Sequence, residues 1–428
     1  MKTLFSHLFR ILAGRRIAAL PDDSMVKANP FRVAMPSAQF KVRIAREMAG
    51  VDAAQWDACA NPPGMSEEAS TGERYNPFVS HAFLLALEQS GSVGGRSGWA
   101  PMHVLIEDEA GRLVAAALTY AKSHSQGEYV FDHGWAQAYA QAGGRYYPKL
   151  QIAVPFTPAT GRRLLVAPNA PPEARATLIA GLRGLCRAVN ASSIHVTFAN
   201  SDDRAALEDA GFSLRTGEQF HFANPGYADF EAFLAELSSR KRKNIRRERK
   251  DALANGISIE WVTGAALKRE HWDAFFAFYM DTGSRKWGSP YLTRKFFDLV
   301  GAAMAERILL VMAKREGRYI AGAINFIGDD ALYGRNWGAI EEHPFLHFEV
   351  CYYQAIDFAI ARKLKRVEAG AQGEHKLARG YRPVPTFSLH DFADKRLGEA
   401  VAEYLVRERL AVEETIALYE EHAPFRKV

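Results

Sequence analysis

The sequence predicts a mixed α/β protein made of two tandem copies of one unit, each a twisted sheet of parallel and antiparallel strands covered by helices. Three observations carry this. The chain has 428 residues, more than one ordinary core accommodates, and its 48% hydrophobic and 24% charged content is that of a globular protein. Two of its segments run alike when aligned on their glycines. Each copy also mixes hairpins with strand–helix–strand steps, a combination that an all-parallel sheet does not produce.

The hairpins come first. MHVLIEDEAGRLVAAALTYA, from Met102, and RILLVMAKREGRYIAGAINFI, from Arg307, each read as an apolar strand, a charged turn closing on Gly-Arg, and a second strand of small residues. Downstream, each copy continues with a helix, a short strand, polar residues and a Gly-aromatic pair. In the first copy these are Ala174 to Val189, SIHVTFA and Gly211-Phe212; in the second they are Glu349 to Lys363, RVEAGA and Gly380-Tyr381. Between the copies, Phe230, Phe233, Leu234 and Leu237 recur at i, i+3, i+4, i+7, and Gly256 stops the pattern, so 230–254 is expected to be a helix or helical pair. The expected division is a leader or disordered tail over 1–39, a first unit over 40–225 and a second over 226–428.

The leader, MKTLFSHLFRILAGRRIAAL, has no acid and places apolar residues at helical spacing, like a transit peptide or a helix lying on a surface. No apolar run approaches the ~20 residues that span a bilayer. Cys59, Cys186 and Cys351 lie far apart and form no CxxC, which fits a reducing compartment; the expectation is a cytoplasmic protein, or one peripheral to the membrane. The net charge of +5 is concentrated: RKRKNIRRERK, from Arg240, carries eight Lys/Arg against one Glu, leaving the remainder slightly acidic.

NPFVSHAFLLALE, DHGWAQAY, YYPKLQIAVPFTPATGRRLLV, YGRNWGA, PFLHFEVCYYQAIDFAI and GAQGEHKLARGY together resemble the FemAB-like branch of the GNAT acyltransferase superfamily, and within it the bacterial peptidoglycan biosynthesis/recognition family of N-acyltransferases. The resemblance extends from about Asn76 to His390. It implies two GNAT-like domains in tandem and transfer of an acyl or aminoacyl group to an amine, the acceptor being a small-molecule or lipid-linked cell-wall precursor. It implies no metal. Fem-type relatives draw the acyl group from aminoacyl-tRNA and ordinary GNAT enzymes from acyl-CoA, and either donor stays open. The alternative is a non-catalytic, degenerate member that binds a peptidoglycan precursor or RNA.

An ordinary GNAT domain cradles the coenzyme A pyrophosphate on backbone N–H groups at a helix start. The corresponding loops here, VAPNAPPEARATL and GAIEEHPFLHFEV, lack the glycine pattern, and the second carries Glu341 and Glu342, which oppose an anion there.

The chemistry-bearing residues crowd into the second copy. VEAGAQGEHKLARGY, from Val367, gathers Glu368, Gln372, Glu374, His375, Lys376 and Arg379, with Gly370 and Gly373 allowing a sharp turn; its counterpart in the first copy has no such cluster. Glu368 and His375 are candidates for proton transfer, while Gln372, Glu374, Lys376 and Arg379 are candidates to hold substrate. In HFEVCYYQAIDFAIARK, Phe348, Cys351, Ala355 and Phe358 form one stripe and Glu349, Tyr353 and Asp357 another. Glu349 is the candidate to orient or deprotonate the acceptor amine, for which a carboxylate needs its pKa raised by burial. Tyr353, Arg335 and Trp337 join the substrate-binding set through the family resemblance, as do Asp132, His133 and Trp135 of DHGWAQAY, where Asp132 and His133 are expected to form an oriented pair. Arg242, Lys243 and Arg246 are candidate phosphate contacts toward tRNA or a lipid pyrophosphate. Zinc chemistry is set aside because HFE has no PCxxC, His343 and His347 are separated by a proline, and no HExxH exists; no GxSxG marks a hydrolase.

Overall fold

A computed structural model describes residues 40–62, 74–286, 290–370 and 373–426; the expected leader, 1–39, and Gln372 lie outside the described residues. The fold is mixed α/β. Strands β1 (Lys41–Ala45), β3 (His103–Glu107), β4 (Leu113–Ala117) and β7 (Leu164–Val166) form an antiparallel sheet in the order β1-β3-β4-β7, interrupted in sequence by β2 (Trp99–Pro101), β5 (Thr119–Lys122) and β6 (Lys149–Ile152). The larger sheet adds β8 (Ser193–Ala199), β9 (Ser213–Ala223), β10 (Ser258–Thr263), β11 (Ile308–Arg315), β12 (Arg318–Ile327), β13 (Ala331–Ala339), β14 (Arg366–Glu368) and β15 (Arg382–Phe392). Its eleven strands run β10-β11-β12-β13-β14-β9-β15-β8-β6-β5-β2.

Both expected hairpins are present, as β3–β4 and β11–β12. Each copy has one parallel pair, β6 with β8 and β13 with β14. The last strand of each copy then crosses over. β9, from the first copy, pairs with β14 of the second, while β15, the second copy's last strand, lies between β9 and β8 of the first. The exchange is reciprocal, so one continuous sheet serves both copies. An aromatic core also joins them: Phe78 packs on Phe326 and Tyr333 at 5.1 Å each, and Phe83 packs on Phe296 at 5.7 Å.

The inter-copy segment forms two helices, Phe230–Glu236 and Ser239–Ala252. Asp229 caps the first by accepting from the Ala232 N–H. The second is the basic run; Ile245 pins it to the core under the second copy, and Ala252 is buried as well.

The first copy buries a charged cluster. Lys149 Nζ donates to Asp132, to Glu128 Oε2 at 2.7 Å and to Ser125 Oγ at 2.8 Å, and none of these charged groups is more than a few per cent exposed. Burial pushes the Glu128 carboxyl up to about 7, despite the nearby Lys149 ammonium. A carboxylate raised in the fold contributes stability below its unfolded pKa of 4.5, and that contribution is lost as the pH climbs to about 7. Relative to Glu128→Gln, the wild type should therefore lose up to about 3 kcal/mol between about pH 5 and about pH 8, read from urea unfolding at the two values. Parallel curves for the two proteins would show that Glu128 stays ionised throughout.

Candidate functional site

The site begins where a parallel pair parts. β13 and β14 pair over Ala331–Arg366, Leu332–Val367 and Tyr333–Glu368 and then diverge. On its other side β13 pairs with β12, but Asn325 lies opposite Gly334 and Ile324 opposite Asn336, so Arg335 is an extra residue in a bulge. Such bulges re-aim a side chain. Here the Arg335 guanidinium is sent toward the first copy, where it donates to the Phe156 carbonyl and to the Tyr129 side chain.

The parting strands leave a cavity of about 90 Å³, lined among others by Asn325, Arg335, Trp337, His347, Cys351 and Tyr352. Its wall is the segment predicted as a plain helix. After a single turn, Leu346–Phe348, the chain adopts a π turn over Glu349–Tyr353 before resuming as an α-helix, Gln354–Ala361. The wider turn shifts the register, so Val350, Tyr352, Tyr353 and Ile356 are buried in addition to Ala355 and Phe358, while Cys351 is only half-buried.

Glu368 ends β14 and is 4% exposed, facing away from the core residue Val367. Its Oε1 accepts from Arg366 at 2.9 Å; its buried Oε2 has no hydrogen-bond partner and lies 3.9 Å from His221 Nε2. After β14, Gly373 and Gly380, with φ of 118° and 87°, bracket a tight 3₁₀ turn, Glu374–Arg379. Inside it His375 Nε2 meets the Tyr352 hydroxyl at 2.8 Å. Burial holds the Tyr352 phenol far above its ordinary range, so it is a proton donor. Lys376 is 1% exposed and donates to the Gly370 carbonyl at 2.9 Å; burial pulls its pKa down to about 8.

Several predicted residues do other work. Glu349 is completely buried and both its oxygens are engaged: Arg249, from the basic helix, donates to them at 3.1 and 2.9 Å, and Gln354 donates at 2.7 Å. The same guanidinium reaches Asp357 at 2.6 Å. Arg379 donates to Glu248 at 2.9 Å and lies over the Phe348 ring at 3.4 Å, and the Tyr353 hydroxyl donates to Glu248. Arg379, Tyr353 and Glu349 are thus joints that hold the basic helix against the site. Glu374 begins the 3₁₀ turn.

DHGWAQAY is also redirected. Asp132 does not pair with His133; consecutive side chains diverge here, and Asp132 turns inward to Lys149 and Tyr146, while His133 stacks on Phe131 at the surface. Trp135 is a core residue packed edge-on to His390 at 4.9 Å. The basic run is not a uniformly solvated face either, because Glu248 and Arg249 point inward. Of the phosphate candidates, Lys243 and Arg246 are exposed and Arg242 is half-buried, and Arg246 is engaged by Glu231. Arg249, Glu248, Tyr352 and His221 were not singled out from sequence. Arg249 and Glu248 were hidden inside the charge run, and nothing around His221 marks it.

The equivalent parting in the first copy is filled. β6 and β8 diverge after Ile152 and Val196, but the chain returns to bridge Gly161 to Ala199. Arg163, with 0% exposure, ties the two edges by donating to the carbonyls of Thr197 at 2.9 Å and Ala159 at 2.6 Å.

Among the described residues no helix is long and apolar enough to cross a membrane. A family profile described as FemAB-like, peptidoglycan biosynthesis/recognition, matches residues 47–427. No curated protein matches the sequence. Similar solved structures include FemX, at 13% identity and a TM-score of 0.46 over 72% of this chain and 91% of that one. Another is L-PGS from Bacillus licheniformis, at 10% identity and 0.44, covering 78% and 98%. A third is a tandem GNAT protein from the clavulanic acid biosynthesis pathway, at 11% and 0.43, covering 83% and 99%.

Proposed function

The chain belongs to the FemAB-like family, and from that premise we propose that it is an N-acyltransferase that moves an acyl or aminoacyl group onto an amine of a cell-wall precursor, at the parting of β13 and β14. The observation that supports this reading most is the contrast between the copies: the second parting leaves a cavity lined by a buried phenol and by Ala369, next in the chain to Glu368 with its unpartnered carboxylate oxygen, whereas Arg163 closes the first.

The chemistry needs a base for the incoming ammonium and an acid for the leaving group. Glu368 and Tyr352 take these roles from opposite sides of the sheet, since Tyr352 packs with Val367 and Glu368 faces the other way. Glu368 Oε2 accepts a proton from the amine, whose nitrogen then attacks the activated carbonyl. As the C–N bond forms and the C–S or C–O bond of the donor breaks, the Tyr352 hydroxyl, held in place by His375, protonates the departing sulfur or oxygen; the nitrogen gives up its second proton on becoming an amide, which restores the phenol, and Glu368 releases the first proton to solvent. The donor substrate is an activated ester. The helix start that would receive a coenzyme A pyrophosphate fits that group poorly: Phe345 occupies its N-cap with φ 60°, the helical turn is three residues long, and Glu341 beside it is bound by Arg315 and His343. Only the acyl carbonyl therefore enters this mechanism.

Glu368→Gln keeps the shape and the hydrogen bond from Arg366 but removes the base. Transfer from aminoacyl-tRNA or acetyl-CoA to a muramyl-peptide acceptor should fall by about 10²–10⁴-fold, with the thermal midpoint nearly unchanged. Retained turnover, or collapse of the fold, would leave Glu368 with a structural role. A protein that binds the acceptor tightly but transfers nothing even as wild type would instead be the non-catalytic binder.

A further inference from the structure

Two cations at the parting of β13 and β14 lack a counter-charge. Arg335 lines the cavity and gives its hydrogen bonds to the Phe156 carbonyl and the Tyr129 side chain, neither of them a carboxylate. Lys376 stands behind the lining, 1% exposed, and donates to the Gly370 carbonyl at 2.9 Å. Among the described residues neither takes part in an ion pair; the carboxylates of Glu368 and Asp330 are both paired with Arg366, at 2.9 and 2.6 Å. Burial pulls Lys376 down to about 8, and the Arg335 guanidinium pulls the same way, so the two cations are close enough to repel each other. Buried charges are ordinarily paired. Two that are not, at one cavity, mark a place for an anion.

The rest of the lining selects which anion. The cavity of about 90 Å³ has room for a few groups of water size, at ~30 Å³ each, which admits a carboxylate and its adjoining carbons but not a sugar or a nucleotide. Asn325 and Asn336 add amide groups to it, and Ala323 and the Trp337 ring supply apolar surface for a short methylene chain. Tyr352, the acid in the proposed transfer, lines the same space, so an anion held there lies close to the acyl carbonyl. An aminoacyl group suits this pocket badly. It carries an ammonium on the carbon next to its carbonyl, and two unpaired cations repel that charge.

We infer that this cavity is a carboxylate pocket, and that the acyl group transferred comes from a dicarboxylic acid, activated at one end and held by Arg335 and Lys376 through its free carboxylate at the other. This chooses between the acyl classes left open above. The transfer half rests on the proposed function, whereas the pocket stands without it. In the reaction the free carboxylate is a spectator: the donor's C–S or C–O bond breaks, the amide C–N bond forms, and the carboxylate leaves with the amide product. Its part is to neutralise the pocket and to fix the carbonyl against Tyr352.

The test gives the full chain N-acetylcysteamine thioesters carrying succinyl, butyryl or β-alanyl groups, similar in length and different in end charge, with a muramyl-peptide acceptor. The kcat/KM for succinyl should exceed that for butyryl by about 10²-fold, β-alanyl should be the poorest, and Lys376→Met should cut the succinyl preference by about tenfold or more. Binding is read separately, as the response of Trp337 fluorescence to monomethyl succinate and to neutral methyl butyrate, with Trp337→Phe as the control that places the signal. The monoester should bind the wild type and Glu368→Gln alike, and Lys376→Met at least about tenfold more weakly; if Lys376→Met does not fold, the preference of the wild type for the monoester over methyl butyrate decides. Equal turnover of butyryl and succinyl, a preference for β-alanyl, a monoester that fails to bind or is displaced as readily by inorganic phosphate, or a signal that survives Trp337→Phe would each overturn the inference. A carboxylate preference seen only across acceptors, an amino acid against its amide, would put the anion on the other substrate and overturn the acyl assignment. If the monoester binds and no thioester is turned over, the transfer reading falls and the pocket stands.

Discussion

Arg249→Met should destabilise the protein by about 3–5 kcal/mol, seen as a fall in the urea midpoint, because it leaves the Glu349 carboxylate buried with its counter-charge removed. The magnitude follows from burial. Glu349 is 0% exposed, and Arg249 supplies two of its hydrogen bonds while also holding Asp357 and lying 4.3 Å from the Phe230 ring centre. One arginine therefore ties together the inter-copy helices and the wall of the cavity. The double variant Arg249→Met/Glu349→Gln should recover much of the loss, since it no longer strands a charge. If Arg249→Met cost under about 1 kcal/mol, the pair would be behaving like a surface ion pair and Glu349 would return as a candidate for proton transfer.

The second large effect is expected in the first copy. Arg163→Ala should cost about 3–5 kcal/mol, because it leaves the buried carbonyls of Thr197 and Ala159 without their donor and hollows out the parting of β6 and β8. Acyl transfer per folded molecule should be unchanged. The comparison uses unfolding curves and turnover corrected for folded fraction. A large loss of turnover at full folding would mean that the first copy shares in the reaction.

Much of the fold was legible because it rests on local signals. Gly-Arg turns between apolar runs specify the hairpins, and the i, i+3, i+4, i+7 spacing of Phe230 to Leu237 specifies a helix. Glu368 was legible for the same reason: alternation along a three-residue strand puts it opposite Val367. What escaped depends on contacts distant in sequence. Nothing near Glu349 announces that Arg249, 100 residues earlier, neutralises it. The π turn is one extra residue in a helix whose composition looks ordinary. Arg163 sits in GRRLL, where no pattern distinguishes a plug from a surface charge. Strand exchange is invisible in principle, because a repeated strand satisfies the same edge whichever copy supplies it.

The exchange also sets an order on synthesis. β8, residues 193–199, acquires one of its neighbours only when residues 382–392 exist, after the whole of the second copy's hairpin and helices has been made. A ribosome that has finished the first copy has produced a sheet with an open edge, and β15, made much later, must slot in beside it. Contacts so distant in sequence slow folding and keep an unpaired edge exposed while it waits. The nascent chain is thus most vulnerable to aggregation in the interval before β15 emerges, and truncations before β15 should leave neither copy able to stand alone.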